Sequence, residues 1–143
     1  MKEKIKRYFR RFLLRREPEN RIRYSSEERR RRAHNAIRQW IKDRLWAEDA
    51  TLSEVAASLG IDKDILSKYF RRNYGKCFLQ WRKETRINEA KLLLLKDRDM
   101  PTALIGEQVG ISDKSNFKRQ FRDLTGYTPA QWRLKKQPKV GGK

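Results

Sequence analysis

Two segments of the chain set out hydrogen-bonding and cationic side chains at helical spacing. Lys63, Asp64, Ser67, Lys68 and Arg71 stand in KDILSKYFRR, and Lys114, Ser115, Asn116, Lys118, Arg119 and Arg122 stand in KSNFKRQFRD. In each segment these positions fall opposite an apolar stripe. The stripe is Ile65, Leu66, Tyr69 and Phe70 in the first, and Phe117, Phe121 and Leu124 in the second. The chemistry these groups suit is recognition. Arg and Lys donate to guanine O6 and N7, Asn pairs with adenine N6 and N7, and Asp accepts from cytosine N4. Any of the cations can also bind a phosphate. The competing reading is the solvated polar face that every surface helix carries.

The elements that would position these faces form an internal repeat. VAASLGIDKDILSKYFRRNYGKCFLQWR, from Val55, aligns with IGEQVGISDKSNFKRQFRDLTGYTPAQWR, from Ile105. Gly60 pairs with Gly110, Ile61 with Ile111, Phe70 with Phe121, Gly75 with Gly126 and Trp81 with Trp132. The offset is 50 before the turn and 51 after it, so the second copy carries one inserted residue. Each copy reads as helix, tight turn, helix. Thr51 and Glu54 fit a capping box, Gly60 suits the left-handed position that ends a helix, and Asp62 and Ser112 are placed to cap the second helices. Ala56 and Gly106 occupy one matched position, where a larger side chain would obstruct the crossing of the two helices. This is the pattern of a helix-turn-helix, whose second helix enters the DNA major groove. Lys63, Lys114 and Asn116 then fall at the helix N-terminal ends, where base contacts concentrate.

Charge agrees with a polyanion partner. The 143 residues include 37 Lys plus Arg against 18 Asp plus Glu, a formal net charge of +19. Nucleic acid and an anionic membrane surface both qualify on charge alone. One cysteine, Cys77, excludes an internal disulfide and a multi-cysteine metal site, and the lone histidine, His34, has no cysteine or second histidine nearby with which to hold a metal. No apolar run approaches the roughly 18 residues of a membrane span, and no signal peptide is legible. An enzyme is the weakest class, and no cofactor or metal is expected. A basic protein that coats nucleic acid by charge alone is the alternative. It accounts for the charge, but not for the paired turns and matched outward faces.

With these motifs in hand, the chain resembles the AraC/XylS family of bacterial transcription regulators. Gly126, Thr128, Pro129 and Arg133 match the family's closing pattern, with Trp132 in place of a tyrosine. GISDKSNFKRQF, Gly110 to Phe121, is similar to the family's second recognition segment, and RINEAKLLL, Arg86 to Leu94, resembles its connecting helix. The resemblance covers about Ile37 to Arg133. Thr102 stands where the family usually has an apolar residue and Gly106 where it usually has alanine, which suggests a less stable first helix in the second unit. The resemblance implies sequence-specific binding at promoters, control of transcription, usually activation, and RNA polymerase as a further partner. The family's effector pocket lies in a separate domain that this sequence does not contain.

The expected fold is therefore all-α: two helix-turn-helix subdomains joined by a long connecting helix, with a basic N-terminal helical extension. Residues 25–136 form the double helix-turn-helix domain, with a first unit at 25–77, the connecting helix at 78–95 and a second unit at 96–136. Residues 137–143 are expected to be a disordered tail. Ser25 and Glu28 make a capping box that opens a helix to about Trp46, with the stripe Ala33, Ile37, Trp40, Ile41 and Leu45. Arg29 to Arg32 follow as a solid basic turn, read either as solvated or as phosphate-binding. The connecting helix lacks Gly and Pro and would hold two recognition helices near one DNA turn apart, roughly 34 Å. Trp81 and Trp132 are expected to pack under their own units. Arg82 and Arg133, which follow them, read equally as salt-bridge or phosphate-binding residues.

Residues 1–24 form a basic amphipathic extension. Ile5, Tyr8, Phe9, Phe12 and Leu13 make one apolar stripe, and Lys2, Lys4, Lys6, Arg7, Arg10, Arg11, Arg15 and Arg16 surround it. Three readings stand: a segment at a membrane surface that tethers the chain to a longer sensor, a helix that docks on a partner or on DNA, and a tail without structure in isolation. The expected location is the cytoplasm, membrane-tethered if the chain is a fragment.

Overall fold

The computed structural model describes residues 24–136. The extension expected over residues 1–24 lies, Tyr24 apart, outside them, as does the tail at 137–143. The described residues are helical throughout, in the order α1 (Ser26–Lys42), a 3₁₀ turn (Leu45–Ala47), α2 (Leu52–Leu59), α3 (Lys63–Tyr74), α4 (Phe78–Lys96), α5 (Thr102–Gln108), α6 (Lys114–Thr125) and α7 (Pro129–Lys135). No strand is found among them, and the all-α expectation holds. Two compact units divide the chain, the first ending at Trp81 and the second beginning at Arg82, so α4 contributes to both.

Capping explains most of the boundaries. The Ser25 side chain accepts from the Glu28 amide while the Glu28 carboxylate accepts from the Ser25 amide, the expected capping box. Thr51 accepts from the Glu54 amide at 3.1 Å. Thr128 and Gln131 build a second reciprocal box, with Pro129 at the first helical position. α1 is shorter than expected. It ends at Lys42 because Arg44 takes a left-handed conformation, φ 59°, and the chain turns into the 3₁₀ segment. The turn carries Trp46 into the core, where it is buried, whereas Ile41 and Leu45 stay half-buried.

The first unit closes around aromatic rings. Trp81 packs on Phe70 with ring centroids 4.6 Å apart, and also meets Tyr74 and Trp40. Ile37, Val55, Leu66 and Phe70 are buried beneath. The second unit buries Ile87, Ala90, Leu94, Ile105, Val109, Phe117 and Phe121. There Trp132 meets Phe121 edge-on at 6.0 Å. Each tryptophan thus packs in its own unit. Arg133, read as a salt-bridge or phosphate residue, is held by backbone carbonyls. Its Nε donates to Leu94 O, and its Nη2 donates to Asp97 O and Met100 O, at 3.0, 3.1 and 2.8 Å. The guanidinium closes the open carbonyls at the end of α4 and fixes the turn into α5.

Both helix-turn-helix turns use one hydrogen-bond device. Ile61 N donates to Ala56 O and Gly60 N to Ala57 O; Ile111 N donates to Gly106 O and Gly110 N to Glu107 O. That is a Schellman closure, which requires a left-handed residue, and Gly60 (φ 66°) and Gly110 (φ 92°) supply it. Gly106 has a separate role. A Cβ there would lie 2.7 Å from Phe117 Cδ2 and 2.9 Å from the Ile111 carbonyl oxygen. The glycine is what lets α6 cross α5 closely, so it supports the unit rather than weakening it. Gly106→Ala gains about 1 kcal/mol of helix propensity but meets an overpacking cost of about 1–3 kcal/mol against a backbone oxygen that cannot swing aside. The expected result is a net loss of about 1 kcal/mol, seen as a lower midpoint for the second unit in denaturant. A more stable variant would contradict this account of the crossing.

Candidate nucleic-acid interface

α3 and α6 are the second helices of the two turns. Their N-caps are Asp62 and Asp113. Asp113, not Ser112, caps α6: its carboxylate accepts from the Asn116 amide at 2.7 Å. Asp62 holds the equivalent position without a side-chain capping bond. Ser112 is therefore the inserted residue, and the two helices align residue by residue from their first positions. Lys63 matches Lys114, Asp64 matches Ser115, Ser67 matches Lys118, Lys68 matches Arg119, and Arg71 matches Arg122. In both units the matched positions after the cap offer a cation at the first, sixth and ninth residues.

Lys63, Asp64, Lys68 and Arg71 are exposed on α3, and Ser67 is half-buried beside them. Lys114, Ser115, Lys118, Arg119 and Arg122 are exposed on α6, and Asn116 is half-buried. Leu66, Tyr69 and Phe70 are buried behind the first face, and Phe117 and Phe121 behind the second, with Leu124 half-buried. The matched burial fixes the rotation of each helix and hence which side chains point outward.

One residue differs from its sequence reading. Ile65, assigned to the buried stripe, is 37% exposed. It occupies the position on α3 that Asn116 occupies on α6. The first unit therefore offers an apolar group there, suited to a thymine methyl. The matched polar Asn116 was the available signal. Asn116 itself is engaged within the helix: its Oδ1 accepts from Arg119 Nη2 at 2.7 Å and from Gln120 Nε2 at 3.0 Å. A bidentate adenine contact needs that oxygen. In this conformation Asn116 braces the guanidinium of Arg119, which is exposed and keeps further donors.

His34 on α1 packs edge-on against the Tyr69 ring of α3 at 5.3 Å. Burial, with the nearby charges of Arg30, Arg38 and Arg72, holds its pKa below the ordinary imidazole value. The sign follows from proton uptake. Below pH ~6.5 the unfolded chain takes a proton that the folded chain resists, so stability falls as pH drops through that value and levels off below the folded pKa. Melting temperatures of the chain and of His34→Gln between pH 7.5 and 5 are expected to diverge in that direction, the variant losing less on acidification. Parallel curves would contradict it.

No group of three or more His, Cys, Asp or Glu side chains is arranged for a metal ion among the described residues. No helix among them is long and apolar enough to cross a membrane.

Comparison with known proteins agrees with this geometry. Residues 55–135 match the model of a helix-turn-helix domain family. The arabinose operon regulatory protein of Escherichia coli K12 is 37% identical over 102 residues, which are 71% of this chain and 35% of that protein. The chain thus spans about a third of the length of that curated relative. Among solved structures, the C-terminal domain of the two-component response regulator yesN from Fusobacterium nucleatum is 31% identical with a TM-score of 0.61, over 70% of this chain and 97% of that one. The C-terminal domain of AraT, a response regulator from Geobacillus stearothermophilus, gives 26% and 0.66, over 85% and 94%.

Proposed function

The chain belongs to the AraC/XylS family of helix-turn-helix transcription regulators, and from that premise we propose that it reads specific duplex DNA sequences with α3 and α6 and activates transcription. The observation that carries the reading is the matched register of the two outward faces, with cations at the first, sixth and ninth residues of both helices, behind two glycine turns closed by the same hydrogen bonds. Lys68 and Arg119 stand at one matched position and are assigned to base edges. Asp64, Ser67, Ser115 and Lys118 flank them as further readers. Lys63, Arg71, Lys114 and Arg122 divide between bases and phosphates. Each recognition helix enters a major groove, and because the two faces differ in residue type, the preferred site is asymmetric.

RNA polymerase is the further partner that activation requires, and the cytoplasm is where such a partner is met. Residues 1–24 carry an apolar stripe in a basic surround and are assigned to a membrane surface or to a sensor domain. Competition with random DNA separates the proposal from a coating protein. At moderate salt a sequence reader keeps a preferred site against a large excess of random duplex, because specific binding exceeds non-specific binding by about 10³–10⁷. A coating protein loses every labelled duplex alike.

A further inference from the structure

An open groove of about 1000 Å³ runs along the first unit between α1, the α2–α3 turn and α3. Arg29, Arg30, Arg32 and His34 border it from α1, and Lys68 and Arg72 from α3. Asp62 is the sole carboxylate among the described residues that line it. Its floor is apolar, with Ala33, Leu59 and Tyr69 beneath the cations. Such a cleft, charged with one sign over a low-dielectric floor, concentrates potential within it. Three of the four arginines of the basic turn reach the groove, and Arg31 does not.

We infer that this groove seats backbone phosphates of the DNA strand flanking the major groove that α3 enters. The inference rests on the DNA-reading function proposed above and extends it to a surface outside the recognition helices. Continuity supports this occupant: Lys68 and Ile65 line the groove and also belong to the outward side of α3. Charge excludes the nearest competitor, because residues 1–23 are themselves strongly basic and would be repelled. His34 lies among these cations: burial first, and then the charges of Arg30, Arg38 and Arg72, hold its pKa below the ordinary imidazole value. A phosphate seated there opposes those charges and favours the imidazolium.

The test uses single substitutions in the whole chain. Arg30→Gln, Arg32→Gln and Arg72→Gln are compared with Lys42→Gln, which removes an equal charge at the far end of α1. Arg32 also stacks on the Tyr24 ring, so its thermal melt is checked alongside. Each groove variant is expected to lower the slope of log affinity against log salt by about 0.9, with preferred and random DNA weakened equally. Lys42→Gln changes the slope by much less, and Arg72→Lys retains it. His34 is the single histidine of the chain, so its imidazole resonance also reports directly, and its pKa is expected to rise when DNA binds. Equal slopes for groove and control variants, or a His34 pKa unmoved by DNA, overturn the inference. Loss of sequence preference in the unaltered chain would instead refute the DNA-reading function, and the two failures are told apart by that control.

Discussion

Between 50 and 200 mM salt, the affinity of this chain for duplex DNA is expected to fall by on the order of a thousandfold or more. The estimate follows from the number of phosphates engaged. A protein that neutralises six to ten phosphates releases their counterions, and roughly 0.9 is added to the salt slope for each. The chain has the cations to do so. Lys63, Arg71, Lys114 and Arg122 are exposed on the two recognition helices, and Arg29, Arg30, Arg32 and Arg72 border the groove of the first unit. The formal charge of +19 adds a general attraction that steers encounter but is screened within about 10 Å at 0.1 M. Fluorescence anisotropy across that salt range measures the slope. An affinity that does not change with salt would mean that the charge serves another partner.

Arg119→Ala and Lys68→Ala are expected to relax base preference, each at its own positions in the site and at a cost of about 1–3 kcal/mol against the preferred base. The two residues are matched in register, each the sixth residue of its recognition helix, and both are exposed. Arg119 is held by the Asn116 side chain, so its fork is partly pre-organised before DNA arrives. Asn116→Ala is therefore expected to weaken the preference at the Arg119 position without abolishing it. Measured on a panel of single-base variants of the preferred site, a base reader loses discrimination at one or two positions. If every sequence weakens equally, Lys68 and Arg119 bind phosphates and the assignment is wrong.

The sequence carried the architecture because the duplication made it visible. Glycines at matched places, followed by an isoleucine and then a capped amphipathic helix, specify two turns with little ambiguity. Finer features depended on groups far apart in the chain. The inserted residue could be placed within the turn, but the sequence reading assigns the cap to Ser112, whose neighbour Asp113 is equally capable. Asp113 holds the position with its carboxylate on the Asn116 amide. Ile65 follows the period of the buried stripe, yet the space beside it is open groove rather than core. Arg133 was read through its charge, but its partners are backbone carbonyls at Leu94, Asp97 and Met100, which no side-chain pattern advertises. The early end of α1 at Lys42 came from an arginine in a left-handed conformation, a state that composition does not signal.

Selection of bound duplexes from a random DNA pool, at moderate salt and with random competitor, tests the central claim most directly. The chain is expected to enrich one asymmetric site. Lys68→Ala is expected to relax one set of base positions within it, and Arg119→Ala a different set. Recovery of no preferred sequence, with all duplexes retained in proportion to their concentration, would contradict the account and leave a basic protein that coats DNA by charge.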